Sequence, residues 1–549
     1  MDNRVMKNPL LPGAYPDPSI CRVGDDFYMV CSSFELYPGI PVFHSRDLAH
    51  WEQVGYALDK ENDFHVEANL LANGVMAPTI RYHDGVFYII NCNYCDDGNF
   101  IVTAKDPAGP WSKPHWLTDV PGIDASLFFD EDGKAYVIGT GEVVKRADGS
   151  MERGIWVAEY DVHHFKMIGE PTAIWDSALR HAASPEAPHL YKVGGYYYLV
   201  IAEGGTEHYH SVAVARSKEL LGWYEGNPAN PVMTHRQFGF TYPIANVGHA
   251  DLVDTPSGNW YAVLLASRII GGVHKNLGRE TYICPVVWER DWPVFSPGSG
   301  KIDWEYPADE TLPWTEYEKE PERDEFEDSR LEFCWNFWGT PYEEFWRISD
   351  SNLYIKCLSR KMAEEIQPLS MERKKVYDAY AGFIGRRQCH IDFDISCSMA
   401  FMPEGAETAG LMMMQASNHQ YRFERAAVDQ EGKSGQTLRV IQAASEFDRP
   451  PYMPGFTSTT EEKVLAEVPW DQETVVLHLK VRGQDIDFYY GANEASKQLL
   501  IAGVDGRVIN PEKVGGMMGT VIGMFASSNH TESRNEAAFD WFQYKAFNE

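Results

Sequence analysis

One alternation of polar turn and apolar residues recurs five times in the first part of the chain. Each copy has a glycine or aspartate turn, then a tyrosine, then an apolar, often β-branched run; the tyrosines are Tyr28, Tyr88, Tyr136, Tyr198 and Tyr261. A turn that leads into such a run is typical of a β-hairpin. The spacing of about 50 to 60 residues suits a four-stranded blade, so the pattern predicts an all-β fold that begins with a five-bladed β-propeller. An ordinary β-sandwich with similar hairpins is the alternative.

The repeat also predicts which residues meet at the propeller axis, because the first strand of each blade lines that axis. Counting back 11 or 12 residues from each tyrosine gives Asp17, Met76, Asp124, Glu186 and His249. Three of these are carboxylic acids, and burying several carboxylates together is costly unless they do chemistry or bind a cation. The sequence therefore predicts a functional site on the axis.

Two of these acids are expected to form the pair that hydrolyses a glycosidic bond, one ionised and one protonated. Asp17 lies between two prolines, which restrict where its carboxylate points, so we expect it to be the general base. Glu186 has no cation in its own segment, and burial beside another carboxylate would raise its pKa, as a general acid requires. Asp124 is expected to keep Glu186 protonated and oriented.

Two further residues carry binding chemistry. The guanidinium of Arg279 suits paired sugar hydroxyls or a carboxylate, although an internal salt bridge is the alternative. His249 is able to ligate a metal through its neutral ring, or to serve as a core histidine. Cys92 and Cys95 form a C-x-x-C motif without a second ligand pair, which favours buried free thiols.

Length and charge narrow the class of protein. The 549 residues exceed what one hydrophobic core normally supports, so two large domains are expected. A formal net charge of −32 argues against nucleic-acid and membrane partners and favours a neutral substrate, although solubility alone also explains it. An apolar export segment and a transmembrane stretch are missing from the pattern, and the nine cysteines are an odd number for a disulfide framework. We therefore expect a cytoplasmic protein, for which a homo-oligomer is compatible with the sequence.

The composition divides the chain into three parts. Residues 1–315 form the predicted propeller. Residues 316–328 are rich in Glu and Asp, which predicts a solvated linker, and residues 329–549 form a second domain. Alternating runs such as those around Phe393, Leu477 and Phe542 predict antiparallel strands with one buried face. This second domain is therefore expected to be a β-sandwich.

Taken in order, the motifs of the first domain resemble glycoside hydrolase family 43. The resemblance covers the whole propeller and rests on Tyr15-Pro16-Asp17-Pro18-Ser19-Ile20, Ser45-Arg46-Asp47-Leu48-Ala49-His50-Trp51, Asp124-Ala125-Ser126-Leu127-Phe128, Glu186-Ala187-Pro188-His189-Leu190-Tyr191, Gly248-His249-Ala250-Asp251-Leu252-Val253 and Gly278-Arg279-Glu280-Thr281. It is closest to the two-domain β-xylosidases and α-L-arabinofuranosidases, in which the sandwich closes part of the site.

The resemblance implies an inverting exo-glycosidase that requires no cofactor. By position it makes Asp17 the base, Glu186 the acid and Asp124 the residue that tunes the pKa of the acid. Arg279 would contact the sugar and Phe34 would border it. In some relatives the histidine that matches His249 helps to hold a calcium ion in the central channel, so calcium there is a further expectation.

Two departures from the family pattern leave the preferred sugar open. Many two-domain β-xylosidases have tryptophan where this chain has Met76, and phenylalanine near Val521. Both residues are expected to shape the sugar pocket, and loss of both aromatic walls would widen it. The expected activity is release of xylose from xylo- or arabinoxylo-oligosaccharides, with α-L-arabinofuranosidase activity alongside; the alternatives are mainly α-L-arabinofuranosidase activity or a non-catalytic sugar-binding propeller. The three axial carboxylates argue against the last.

Overall fold

A computed structural model describes residues 4–67, 74–94, 98–145, 147–176, 183–341, 343–363, 381–430, 433–448, 457–515 and 517–547. Five four-stranded antiparallel sheets follow one another along the first half of these residues. They form the five blades of a β-propeller, which confirms the predicted fold class. Within each blade the strands run from the centre outwards in chain order.

The strands of the blades have the following bounds. The first blade contains Ser19–Val23, Asp26–Val30, Gly39–Ser45 and Glu52–Leu58, and the second contains Gly74–His83, Val86–Tyr94, Gly98–Ala104 and His115–Trp116. The third contains Ser126–Phe129, Ala135–Lys145, Met151–Asp161 and Lys166–Trp175. The fourth contains Glu186–Val193, Tyr196–Glu203, Ser211–Ser217 and Glu225–Gly226, and the fifth contains Ile244–Asp254, Trp260–Arg268, Glu280–Glu289 and Trp292–Phe295.

The repeated tyrosines all lie on the second strand of their blades, directly after a tight turn. The turn glycines Gly24, Gly85, Gly133, Gly195 and Gly258 all have positive φ, which glycine adopts without steric cost. Apolar side chains of neighbouring blades then pack face to face, for example Leu127 and Trp156 of the third blade against Ile90 of the second. The predicted hairpins are therefore present in all five blades. The first and last parts of the propeller are joined by pairing of Val5–Lys7 with Glu305–Pro307.

Two larger antiparallel sheets pack against each other in the second half of the chain and form the predicted β-sandwich. One sheet has the order Trp346–Ser349, Asn352–Lys356, Glu536–Ala546, Asp392–Ala400, Thr474–Arg482, Asp485–Gly491 and Gln498–Asp505. The other has the order Ser458–Pro469, Lys433–Phe447, His419–Gln430, Thr408–Ala416, Val521–Ser527, Phe383–Arg387, Asn336–Trp338 and Leu36–Tyr37. The helical segments that the structure describes are short: Arg236–Phe238, Glu494–Ser496, Gly506–Ile509 and Pro511–Val514. In the described residues none of the helices has the length and apolar character needed to cross a membrane.

The two domains share structure on both sides of the acidic segment. Leu36–Tyr37, which follows the second strand of the first blade, pairs with Asn336–Trp338 and so becomes the edge strand of a sandwich sheet. Arg323–Asp324, inside the segment 316–328, pairs with the last sandwich strand, and Phe326 is buried in the sandwich core. The second half of this segment therefore packs as part of the sandwich, although its acidic composition favours a solvated linker.

Candidate active site

Each blade has a residue in the left-handed region, either on its inner strand or two residues before that strand begins. These residues are Asp17, Ala77, Asp124, Ala187 and His249, with φ values of 55°, 32°, 53°, 48° and 53°. A non-glycine residue in this region costs about 1–2 kcal/mol, and such strain is concentrated at functional sites. In blades two, four and five the ladder register also shifts at this point. Bulges of this kind re-aim side chains, so they turn the inner side chains of these three blades toward the axis.

Asp17 is buried and held in the ionised form. Its Oδ1 accepts from Nη1 of Arg279 at 2.8 Å, and its Oδ2 accepts from Oγ of Ser32 at 2.6 Å. Burial opposes ionisation, but the charge of Arg279 and the Ser32 hydrogen bond outweigh it, so the pKa of Asp17 is below its usual value. An ionised carboxylate fixed at both oxygens is suited to accept a proton from a water molecule.

Glu186 is held in place by the backbone on both sides of it. The hydroxyl of Thr140 donates to the carbonyl of Pro185 at 2.6 Å, and that of Ser126 donates to the carbonyl of Pro188 at 2.5 Å. Both donors belong to the third blade, so Glu186 is aligned by its neighbouring blade as well as by its own. Its carboxylate is the first group of the inner strand Glu186–Val193.

The third carboxylate completes the cluster. Burial, followed by the negative charges of Glu186 and Asp17, raises the pKa of Asp124 well above its usual value. Burial also raises the pKa of Glu186, against the opposing charge of Arg153. The pKa of Asp17 is thus lowered and the pKa values of the other two carboxyls are raised, which is the direction of separation that acid–base hydrolysis requires.

A close backbone approach positions Asp124. Gly122 lies two residues before it with φ of 81°, and a Cβ at this position would lie 1.6 Å from the carbonyl oxygen of Thr140. The side chain of Asn99 then donates to the Gly122 carbonyl at 2.9 Å. Only glycine fits here, so the approach of Asp124 to the axis depends on Gly122.

Arg279 has hydrogen-bonding capacity that the described residues leave unused. Its Nη1 bonds Asp17 and, at 3.1 Å, the hydroxyl of Thr206. Its Nε and Nη2 are buried and have no hydrogen-bond partner among the described residues. Because an unpaired buried donor is costly, a ligand with hydroxyl or carbonyl oxygens is the expected partner. The neighbouring Glu280 is fully buried, binds Arg268 twice and accepts the backbone N–H of Gly13 at 2.7 Å, which ties this segment to that of Asp17.

Replacing Arg279 with alanine is expected to raise KM and lower kcat/KM about 100-fold, because hydrogen bonds from a charged donor to the substrate are lost. The acidic limb of the pH–rate profile should also move to higher pH, since Arg279 lowers the pKa of Asp17. Arg279→Lys is the matched control, which keeps the charge and loses the fork. This lysine variant should keep the acidic limb close to its wild-type position, but its KM should rise as it does in the alanine variant. An unchanged KM in both variants would contradict a sugar-binding role.

His249 lies beside the base. Its Nδ1 is 3.6 Å from Oδ1 of Asp17, and its pKa is lowered, chiefly by burial and further by the charge of Arg279, so the ring is neutral. His210 packs against the preceding residue: a Cβ on Gly248 would lie 2.4 Å from the His210 ring. The histidine that sequence alone places on the axis is therefore packed into the wall behind Asp17.

A hydrogen-bonded network of Arg81, Asp251 and His189 lies in the next layer of the axis, further along the inner strands. Asp251 is fully buried and accepts from Nη1 of Arg81 at 2.8 Å and from Oγ of Ser19 at 2.6 Å. Nη2 of Arg81 lies 2.9 Å from Nδ1 of His189. Burial lowers the pKa of His189 to about 3, so this ring is neutral.

These residues do not fit a calcium ion in the channel. Calcium takes six to eight oxygen ligands. Here the guanidinium of Arg81 already supplies the positive charge beside Asp251. Within the described residues no group of three or more His, Cys, Asp and Glu side chains is arranged to hold a metal. The resemblance to calcium-binding relatives therefore does not extend to the side chains around Asp251.

The three predicted wall residues meet in one apolar cluster between propeller and sandwich. Phe34, Met76 and Val521 share it with Phe383 and a set of methionines: Met362, Met412, Met414, Met517 and Met518. Val521 is fully buried, so it supports the wall from behind. Met76 and Met517 are the partly exposed members, and the Phe34 ring lies 5.5 Å from the Arg279 guanidinium. The wall is thus built of flexible thioethers at its accessible face.

The sandwich reaches the site through glycine contacts. A Cβ on Gly278 would lie 2.8 Å from the backbone nitrogen of Gly519, so the backbones touch directly before Arg279. The N–H of Thr520 donates to the carbonyl of Asn276 at 2.7 Å. Arg387 donates to the carbonyl of Ala14 at 2.8 Å and lies over the Tyr15 ring. The second domain therefore holds both the Arg279 and the Asp17 segments.

Sequence reasoning missed several supporting residues, among them Ser32, Arg153 and Arg387. None of them lies at a repeated position or in a catalytic motif, so only the fold brings them to the site. Within the C-x-x-C motif Cys92 is buried, and Cys95 lies outside the described residues.

Comparison with known proteins accounts for both domains. The model of the glycosyl hydrolases family 43 matches residues 6–293, and that of the β-xylosidase C-terminal concanavalin A-like domain matches residues 323–545. A xylosidase/arabinosidase from Butyrivibrio fibrisolvens is 40% identical over 547 residues, covering 98% of this chain and 99% of that protein. A non-reducing end α-L-arabinofuranosidase from Bacteroides ovatus is 34% identical over 561 residues, covering 99% of this chain and 95% of that protein.

The fold agrees with these relatives. The solved structure of a xylan β-1,4-xylosidase from Bacillus halodurans superposes with a TM-score of 0.85 at 29% identity, covering 98% of this chain and 100% of that one. A family match over more than half of the chain, together with relatives aligned along nearly all of it, leaves one assignment: the chain belongs to glycosyl hydrolase family 43 and is a glycoside hydrolase made of a five-bladed β-propeller and a β-sandwich.

Proposed function

We propose that the protein is an inverting exo-glycosidase that releases xylose from the non-reducing end of xylo-oligosaccharides and also removes α-L-arabinofuranosyl groups. The observation that carries the proposal is the buried guanidinium of Arg279. It binds the ionised base Asp17 through one nitrogen and has two nitrogens without partners among the described residues. A sugar whose hydroxyls meet those nitrogens would have its anomeric carbon near Asp17.

In the proposed reaction Asp17 takes a proton from a water molecule, and the oxygen of that water attacks the anomeric carbon. Glu186 gives its proton to the glycosidic oxygen as the bond to the anomeric carbon breaks. Burial and the negative charges of Glu186 and Asp17 raise the pKa of Asp124, and in the proposed scheme Asp124 tunes the pKa of Glu186 and orients it. Inversion expects the two carboxyl groups to be about 6.5–9.5 Å apart, with room for the water between them and the sugar. The scheme needs no calcium, and calcium held by His249 stays a prediction.

Two observations support the dual sugar preference: the apolar wall of the pocket and the activities named for the relatives. The partly exposed Met76 and Met517 form an adaptable apolar surface, which tolerates ligands of different shape better than a fixed aromatic ring. Relatives that cover nearly the whole chain carry both activities in their names, xylosidase/arabinosidase and non-reducing end α-L-arabinofuranosidase. Mainly α-L-arabinofuranosidase activity is the second candidate, favoured by the absence of an aromatic side chain at position 76.

Parallel kinetics on p-nitrophenyl β-D-xylopyranoside and p-nitrophenyl α-L-arabinofuranoside test the proposal. We expect turnover of both, with kcat/KM values within about 100-fold of each other, since a pocket difference of this kind is worth only a few kcal/mol. Proton NMR at early times should show the inverted anomer as the first product. A retained anomer would contradict the mechanism. Turnover of the arabinofuranoside alone would support the second candidate, and binding without turnover of either would point to a sugar-binding propeller.

A further inference from the structure

An arginine outside every predicted motif lies against the carboxyl group of Glu186. Arg153 is on the third-blade strand Met151–Asp161, and its Nη1 donates to Oε1 of Glu186 at 2.7 Å. A carboxyl that pairs with a guanidinium in this way is stabilised in its ionised form. The general acid, however, must carry a proton when the glycosidic bond breaks. The pair therefore has to change during the reaction.

The pair lies at the open end of the site. The side chains of Arg153 and Glu186 are 47% and 24% exposed, whereas those of Arg279 and Asp17 are 9% and 6% exposed. An exo-acting enzyme holds the sugar to be released at the buried end of its pocket and the leaving group at the open end. Arg153 thus reaches the acid from the side on which the leaving group lies.

On the basis of the proposed function, we infer that Arg153 binds the leaving sugar. In the free enzyme its guanidinium pairs with Glu186. In the substrate complex it turns from the carboxyl to the hydroxyls of the leaving sugar, and Glu186 takes a proton from solvent. Glu186 passes this proton to the glycosidic oxygen, the bond from that oxygen to the anomeric carbon breaks, and the attacking water supplies the new hydroxyl after losing its proton to Asp17. Departure of the leaving sugar lets Arg153 pair with the ionised Glu186 again.

The charges around the pair support this exchange. Two charged groups face Glu186: Arg153 of the third blade and Asp17 of the first. Asp124 is close enough for both Glu186 and Arg153 to change its pKa. Across its own strand pair, Arg153 lies opposite Glu142. Burial raises the pKa of Glu186 and Arg153 opposes this rise, so removing Arg153 should keep the acid protonated to higher pH.

The test compares Arg153→Ala with the wild type on three substrates that differ only in the leaving group. β-1,4-Xylobiose has a sugar leaving group, methyl β-D-xylopyranoside has a poor leaving group without further hydroxyls, and p-nitrophenyl β-D-xylopyranoside has an activated one. We expect kcat/KM to fall about 10- to 100-fold on xylobiose, chiefly through KM, and to change less than about 3-fold on the other two. The alkaline limb of the pH–rate profile should move to higher pH. Arg153→Lys should recover part of the xylobiose activity.

Lys134→Ala is the matched control, because it removes another cation of the third blade from an ion pair, in this case with Glu159 at 2.6 Å. It should leave all three kcat/KM values unchanged. Equal losses of the Arg153 variant on all three substrates, with an unmoved alkaline limb, would mean a structural role and would overturn the inference alone. No loss on xylobiose would also overturn it. A wild-type enzyme that cleaves none of the three would overturn the proposed function and the inference with it.

Discussion

Replacing Asp17 with alanine is expected to lower kcat on both aryl glycosides about 1,000-fold or more, the range seen when a positioned general base is removed. The reason is geometric as well as electrostatic. Asp17 is the ionised carboxylate of the site, and Arg279 and Ser32 hold one of its oxygens each. An activated leaving group does not rescue the variant, because departure of the leaving group still requires attack by water. The measurement is initial rates at saturating substrate, with circular dichroism to verify folding.

Added azide sharpens this test. Azide needs no base, so it should restore part of the rate of the alanine variant and give a glycosyl azide of inverted configuration. Asp47→Asn is the matched control: Asp47 is also a buried aspartate next to the first blade, but it caps the backbone N–H groups of Ala49 and His50 instead of facing the axis. It is expected to lower stability and to keep kcat. Substantial activity of the Asp17 variant without azide would mean that another group is the base.

Replacing Glu186 with alanine should separate substrates by leaving group. We expect kcat/KM on β-1,4-xylobiose to fall about 100- to 1,000-fold, and kcat on the p-nitrophenyl glycosides to fall less than about 10-fold, because p-nitrophenolate leaves without a proton. The alkaline limb of the pH–rate profile should disappear on the activated substrates, since that limb reports ionisation of the acid. This behaviour distinguishes the acid from the base.

A glutamate in a similar pair serves as the control. Glu225 is on the outer strand of the same blade, and its Oε2 lies 3.4 Å from Nη2 of Arg216. Glu225→Ala should leave both substrates and the pH profile unaffected. An equal loss on xylobiose and on the p-nitrophenyl glycosides for Glu186→Ala would show that Glu186 positions the substrate and does not protonate the leaving group.

Asp251 shows how one neighbouring side chain changes the interpretation of a motif. His249 and Asp251 are ligand types for a metal, and sequence alone leaves that role open for His249. The role of His249 stays a prediction, but Asp251 is compensated by Arg81 on the inner strand of the second blade, and nothing in the local sequence of Arg81 indicates this contact. A buried cation and a buried anion compensate each other, so the layer below the site is neutral without a metal.

The amino-acid pattern alone predicts the propeller and its axial carboxylates. The turn-and-tyrosine period repeats because each blade must build the same hairpin, and a repeat fixes equivalent positions without knowledge of contacts. It therefore placed Asp17, Asp124 and His249 on the left-handed residue of their blades. Glu186 was found through the same count, although it lies one residue before that position, where Ala187 takes the left-handed conformation.

The groups around those carboxylates follow instead from the packing of the blades and sheets. Arg153 comes from another blade and supplies the cation that the segment of Glu186 lacks, so the pKa of the acid is set by two opposing effects and not by burial alone. The sequence likewise does not predict which side chain of the sandwich wall is accessible: Val521 is buried, and Met517 in the same cluster is partly exposed. Both outcomes depend on contacts between residues far apart in the chain, and those contacts follow from how blades and sheets pack, which no local pattern encodes.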